Sequence, residues 1–289
     1  MYNIHQIYIA AFLTTAFAFL VIGGFLKWKT PKEELPLLIS LMLIELPMAI
    51  TAFYLVRMPL LDGLVQLLIN KDTGLYRFIT IFYAPLTEEP AKLLPLIIPF
   101  FYRRVNETNC IRAAMALGLG FGLGEIWLVA TFIASTPAYA NIPWYQFTGF
   151  ANERFMVCLI HGAFTATALR MKYVNKKFVL GIACAMGLHY LGNFPIYLSH
   201  LNFGNFGQIT WGIILSVYTM VFFILMLLLL AYYSTGKMSV GSFLFGKSVC
   251  PGCNTTYSPP LLGLNWFNKR YEKCPNCRKW HWVTKWKSQ

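Results

Sequence analysis

The sequence predicts an all-α polytopic membrane protein of about seven transmembrane helices carrying a small C-terminal domain, and three observations predict it. Apolar residues make up 57% of the chain and charged residues only 12%, about half of the roughly 25% usual in soluble domains. Seven apolar stretches long enough to cross a bilayer follow one another, centred on residues 6–26, 36–56, 79–101, 112–134, 151–169, 178–198 and 208–233. From Lys247 onward the composition turns basic and aromatic, with eight Lys or Arg against one Glu, so that +7 of the chain's formal +13 lies there. The expected organisation is a helical bundle over 1–236, a linker over 237–246 and a small domain over 247–289. A soluble globular class is excluded.

The first span, 6–26, is free of charge and ends on Lys27, Lys29 and Lys32. It lacks a basic n-region and a small-residue cleavage site, so it reads as a retained helix and not a cleaved signal. The second, 36–56, holds Glu45, which fits no motif and is expected to pair with a neighbouring span. The segment 57–78 mixes Leu pairs with Asp62, Gln66 and Asp72 and is expected as a short helix in the outer interface. The third to sixth spans are interrupted by Pro, Gly, Glu or His, which a bundle interior tolerates because neighbours satisfy the freed backbone groups. The seventh, 208–233, is uninterrupted.

Lys and Arg in the short loops set the orientation. Lys27, Lys29 and Lys32, then Arg103, Arg104 and Arg112, then Arg170, Lys172, Lys176 and Lys177 mark cytoplasmic loops, while 135–150 and 199–207 carry no Lys or Arg. The segment 57–78, with Arg57, Lys71 and Arg77, is the one discordant loop. The N-terminus is then expected outside and the C-terminus in the cytoplasm.

The C-terminal domain carries Cys250-Pro-Gly-Cys253 and Cys274-Pro-Asn-Cys277. Two Cys-x-x-Cys pairs about twenty residues apart supply four thiolates for a tetrahedral structural Zn2+ site, and a module of about 40 residues needs such a staple to fold. It resembles a zinc ribbon. Disulfides would need an oxidising compartment, whereas the charge bias places this end in the reducing cytosol. Trp266, Phe267, Trp280, Trp282 and Trp286 among the basic residues suit docking to a cytosolic protein, anionic lipid or nucleic acid. Cys110, Cys158 and Cys184 read as small buried residues, and His5, His200 and His281 as solvated.

Within the bundle, charge stands where hydrocarbon is expected: Glu88-Glu89-Pro-Ala-Lys92, Phe121-Gly-Leu-Gly-Glu125, Arg154 followed by His161 and Thr165, and His189 with Asn193. Ionisable groups inside a span are costly and mark function by default. Helical i, i+4 spacing puts Glu88 with Lys92, His161 with Thr165 and His189 with Asn193 on common faces, and Lys92 is expected as the counter-ion of Glu88. Glu89 points about 100° away from Glu88 and need not share its role. At about 1.5 Å per residue, Glu88, Glu89, Glu125, His161 and His189 all fall about 10 to 15 Å below the outer surface of a core about 30 Å thick. Phe121 is expected to pack, its glycine neighbours allowing close helix approach.

Acids and imidazoles in one layer can activate water, by proton abstraction or on a metal held by His and Glu. These residues resemble the PrsW-type intramembrane proteases, relatives of the CAAX prenyl endopeptidases and bacteriocin-processing membrane proteins, in the order and spacing of the motifs over about residues 80–198. The resemblance implies hydrolysis of peptide bonds in membrane-anchored protein substrates within the bilayer. It assigns Glu88, Glu89, Glu125, His161, His189 and Asn193 to the catalytic site, with Glu88 or Glu89 as base and the histidines binding a divalent metal or stabilising the oxyanion. Lys92, Arg154 and Thr165 support them. The residues alone also admit a non-catalytic binding or immunity scaffold, or a proton-coupled transporter. Transport is disfavoured because no paired half-repeats with matching broken helices occur.

Overall fold

The computed structural model describes residues 6–70, 73–236 and 238–284; His5, Lys71, Asp72, Lys285, Trp286 and Lys287 lie outside the described residues, as does the side chain of Asp62. The chain divides into two units, Met1–Ile224 and Leu225–Gln289. The first is helical throughout: α1 (Gln6–Lys29), α2 (Leu35–Leu68), the short α3 (Gly74–Thr80), α4 (Tyr83–Ala91) and α5 (Pro99–Arg104), then α6 (Cys110–Ala134), α7 (Thr148–Tyr173), α8 (Phe178–His200) and α9 (Gln208–Thr235), whose final turns from Leu225 belong to the second unit.

Five of these, α1, α2, α6, α8 and α9, are long and apolar enough to cross a membrane. The expected fifth span lies inside α7, which at 26 residues is long enough but too polar to join the five. The expected third span, 79–101, is corrected: it is not one helix. Pro85, Pro90, Pro95 and Pro99 recur through it, each removing a backbone donor, so α4 ends before Lys92, a 3-10 turn covers Leu94–Ile97, and α5 starts with Pro99 at its N-terminus. The expected interfacial helix over 57–78 is corrected as well, because α2 runs on to Leu68 through a π-helical stretch, Ala52–Asp62. Arg57 therefore stands on a long helix and not in a loop.

Four glycines let α6 approach two neighbours at backbone contact. A Cβ on Gly120 would lie 2.2 Å from the Met42 carbonyl oxygen and one on Gly124 2.0 Å from that of Leu46, so this pair faces α2. A Cβ on Gly118 would lie 2.2 Å from the Gly162 nitrogen and one on Gly122 2.7 Å from the Cys158 Cα, so the alternate pair faces α7. Two interleaved small-xxx-small faces thus seat α6 between α2 and α7. Cys110 and Cys158 are buried as expected, but Cys184 is exposed.

The second unit contains α10 (Val240–Phe245), capped by Ser239, whose hydroxyl accepts from the Ser242 N–H at 3.2 Å. Two small antiparallel sheets follow, β1 (Ser248–Val249) with β2 (Thr256–Tyr257), and β3 (Leu264–Trp266), β4 (Lys269–Lys273) and β5 (Trp280–Thr284) in that order. Arg270 fastens the interior: it bonds Glu272 at 2.8 Å, Asn265 at 3.1 Å and the carbonyl oxygens of Pro260 and Leu261 at 2.6 and 3.0 Å.

Replacing Gly118 by Val should lower the unfolding temperature by about 5 °C or more, since backbone and not a mobile side chain blocks the added atoms. Gly187→Ala, where nothing lies within 4 Å of the new Cβ, should leave it unchanged. Thermal unfolding in detergent measures both.

Candidate active site

The polar residues of four separate helices meet in one buried cluster. Glu88 and Glu89 stand on α4 with Lys92 just past its end, Glu125 on α6, Arg154 and His161 on α7 and His189 on α8. Glu89, Lys92 and His161 are at most 2% exposed. The Lys92 ammonium donates to Glu89 Oε1 at 2.6 Å and contacts His161 Nδ1 at 3.0 Å, while His189 Nδ1 meets the same Glu89 oxygen at 2.6 Å. His161 Nε2 lies 2.9 Å from Glu125 Oε2, and Arg154 approaches Glu125 Oε1 at 3.3 Å and Glu153 at 2.6 Å. Aromatic rings enclose the charges: Lys92 lies 5.3 Å from the centre of the Phe121 ring and 5.5 Å from that of Phe164. Phe164 also stacks on His189 at 5.2 Å.

Several expected pairings are corrected. Lys92 is not the counter-ion of Glu88; it pairs with Glu89, three residues away, a spacing that also shares a helix face. Glu88 is paired instead with Arg57 of α2, at 2.5 Å. Thr165 does not work with the His161 ring, since its hydroxyl donates to the His161 carbonyl oxygen at 2.9 Å. Asn193 is half-buried one turn beyond His189, and no hydrogen bond joins the two among the described residues. Glu45 is fully buried, but neither of its oxygens is hydrogen-bonded. Sequence reasoning missed Arg57, Glu153 and Phe164. For Arg57 a signal was present, a basic residue on the side where the charge bias allows none.

The hydrogen-bond network fixes the histidine tautomers. With an ammonium against Nδ1, His161 accepts there and donates from Nε2 to Glu125. With a carboxylate against Nδ1, His189 donates there, which leaves its Nε2 lone pair free. That nitrogen lies 3.9 Å from Glu88 Oε2, an oxygen that is buried without a hydrogen-bond partner. Two acceptors therefore stand 3.9 Å apart, a separation that one water bridges with both of its hydrogens. Glu88, His161 and His189 also bring one ligand atom each within 4.8 Å of one another. They fit a metal ion poorly in this arrangement, since both His161 nitrogens are engaged and the cation at Lys92 touches one of them.

In the second unit the four cysteine sulfurs all lie within 4.8 Å of one another, Cys250 and Cys277 at 3.7 Å and Cys253 and Cys274 at 3.7 Å. This cluster can hold one metal ion. The two knuckles repeat one another: the Asn254 N–H returns to the Cys250 carbonyl and the Arg278 N–H to that of Cys274, both at 2.9 Å, with Asn254 and Arg278 each at positive φ. Hydrogen bonds with Thr255 hold the Cys253 thiol down to about 5. His281, expected to be solvated, is half-buried with Nε2 3.6 Å from Cys277 Sγ. His200 is exposed, as expected.

Comparison with protein-family models, with curated proteins and with solved structures finds no match to this chain. Its functional reading therefore rests on the site itself.

Arg57→Ala leaves the largely buried Glu88 without its cation and should destabilise the bundle by about 2 kcal/mol or more, below the 3–5 of a fully buried pair because Arg57 keeps some solvent contact. Arg103→Ala, at an exposed position, should cost nothing measurable. Denaturation followed by tryptophan fluorescence checks the difference.

Proposed function

We propose that the bundle is an intramembrane endopeptidase of the PrsW type, hydrolysing peptide bonds of membrane-anchored proteins with water activated between Glu88 and His189. The observation that carries this reading is Glu88 Oε2, buried without a hydrogen-bond partner and 3.9 Å from His189 Nε2, a nitrogen that its tautomer leaves free to accept. A water donating to both presents its lone pair to a substrate carbonyl. Glu88 takes the proton as the oxygen attacks the carbonyl carbon, and returns it to the leaving nitrogen when the C–N bond breaks. Arg57 pairs with Glu88, and its own Nε–H, buried without an acceptor, is a donor left over for the developing oxyanion. Glu89, held by Lys92, fixes the tautomer and ring plane of His189. Glu88 is therefore the base, and Glu89, Lys92, Glu125, Arg154 and His161 are positioning residues. These steps call on no metal, both His161 nitrogens being hydrogen-bonded in this arrangement.

The short loops rich in Lys and Arg support a cytoplasmic C-terminus and a site in the outer half of a multi-pass cell-membrane protein. Cleavage is then expected within the outer half of the bilayer or just beyond it. We assign Zn2+ to the cysteine cluster: sulfurs held about 2.3 Å from a tetrahedral ion lie about 3.75 Å apart, which the two 3.7 Å distances match. With four thiolate ligands and no open position, that site is structural.

Glu88→Gln should reduce cleavage by at least 100-fold, within the range of about 10² to 10⁴ for loss of a general base, while the protein remains inserted and folded. Comparison of product termini in membranes containing wild type or Glu88→Gln identifies the substrate and the cut site together. Products that persist unchanged in the variant would contradict the assignment of the base, and turnover absent from wild type would leave a binding scaffold or a transporter as the reading. Elemental analysis of the full chain should find about one zinc, absent after Cys250→Ser with Cys277→Ser.

A further inference from the structure

The sheet of the second unit has two unlike sides. Directly opposed residues of an antiparallel sheet point to the same side, and the register opposes Trp266 to Lys269, Tyr271 to Trp282 and Lys273 to Trp280. One side therefore displays those six residues together, while Arg270, Glu272 and Val283 on the other side are buried. The displayed rings are well exposed, Trp266 at 62%, Trp280 at 49% and Trp282 at 48%, and they form a continuous surface in which Tyr271 lies 5.3 Å from Trp280 and 5.1 Å from Trp282. Among the described residues no carboxylate shares this side, because Glu272, the acid of the sheet, is turned inward to Arg270.

The tip of the β3–β4 hairpin continues the surface. Phe267 is 85% exposed and sits at φ 43°, a left-handed conformation that suits Gly, Asn or Asp in a two-residue hairpin and disfavours a bulky aromatic. Its ring packs edge-on against Trp266, the centres 5.4 Å apart, and so extends the aromatic surface to the hairpin tip.

Chain connectivity limits what this surface can meet. The last span ends at Thr235 and β1 begins at Ser248, so residues 236–247, even fully extended, hold the module within about 40 Å of that end. Trp and Tyr with Lys, free of acid, make up the side-chain set that settles at the headgroup level of a bilayer, rings among the carbonyls and ammonium groups against phosphate. We propose that this face, led by Phe267, docks on the anionic surface of the bilayer that α9 enters. The proposal rests on α9 being a membrane span and is independent of the proposed hydrolysis.

The test uses the full chain in nanodiscs, made of phosphatidylcholine with or without phosphatidylglycerol and containing a photoactivatable phospholipid. Peptides covering 264–273 should be labelled in the anionic discs, and labelling should fall about tenfold both in discs without phosphatidylglycerol and for Phe267→Asn. Asn favours the left-handed turn, so that variant removes the ring without endangering the fold; unchanged exchange protection of β4 and β5 verifies this. Absence of labelling in anionic discs, or labelling equal in Phe267→Asn and wild type, would overturn the proposal. So would a fluorescent single-stranded oligonucleotide that binds the face and displaces the lipid label, which would make the aromatic sheet a nucleic-acid platform.

Discussion

An ion buried among apolar helices persists only with a counter-charge at contact distance, and this requirement organises the bundle. Its interior holds three such pairs, Arg57 with Glu88, Lys92 with Glu89 and Arg154 with Glu125, and each partner depends on where another stretch of chain has been placed. The pair at Glu88 ties α2 to α4, that at Glu125 ties α7 to α6, and the two histidines extend the network to α8. Desolvation makes breaking one pair far more costly than never having made it. The glycine faces of α6 serve the same network, since the carboxylate of Glu125 can reach α7 only because Gly118 and Gly122 let the two backbones touch.

Most charges of the cluster are paired, which makes the exceptions informative. The Nε2 of His189 faces a carboxylate oxygen of Glu88 that is buried without a hydrogen-bond partner, and there a further molecule belongs. Reactivity in the proposed mechanism comes from that incompleteness, and rigidity from everything around it. Glu89 and Glu88 are chemically alike and adjacent, yet Glu89 Oε1 takes both Lys92 and His189 while Glu88 takes Arg57 and keeps a buried oxygen unpartnered. Environment separates their roles.

The residues of the cluster were legible in the sequence as charges inside apolar stretches at matching depth, and the cysteine cluster was legible from its paired spacing alone. Pairing was not. The i, i+4 rule joined Glu88 to Lys92, but i, i+3 neighbours share a helix face as well, and with Arg57 on Glu88 the ammonium goes to Glu89. Prolines break the expected third span into pieces, a consequence visible in composition but outweighed in the reading by hydropathy. Arg57 was noticed only as a misfit in the charge bias, because the partner that explains it lies thirty-one residues away. In the cysteine module, the two-sided sheet depends on strand register, which the basic and aromatic composition announced without specifying.

The central claim, that mutual neutralisation holds this interior together, is tested most directly by a double-mutant cycle on Lys92 and Glu89 read as unfolding free energy of the purified bundle. Lys92→Met alone should cost about 3–5 kcal/mol, and adding Glu89→Gln should recover most of that loss, a coupling of about 2 kcal/mol or more. Losses that simply add would contradict the claim, for they would mean that the two residues hold the fold separately and that the buried pair is not what the surrounding helices are arranged to satisfy.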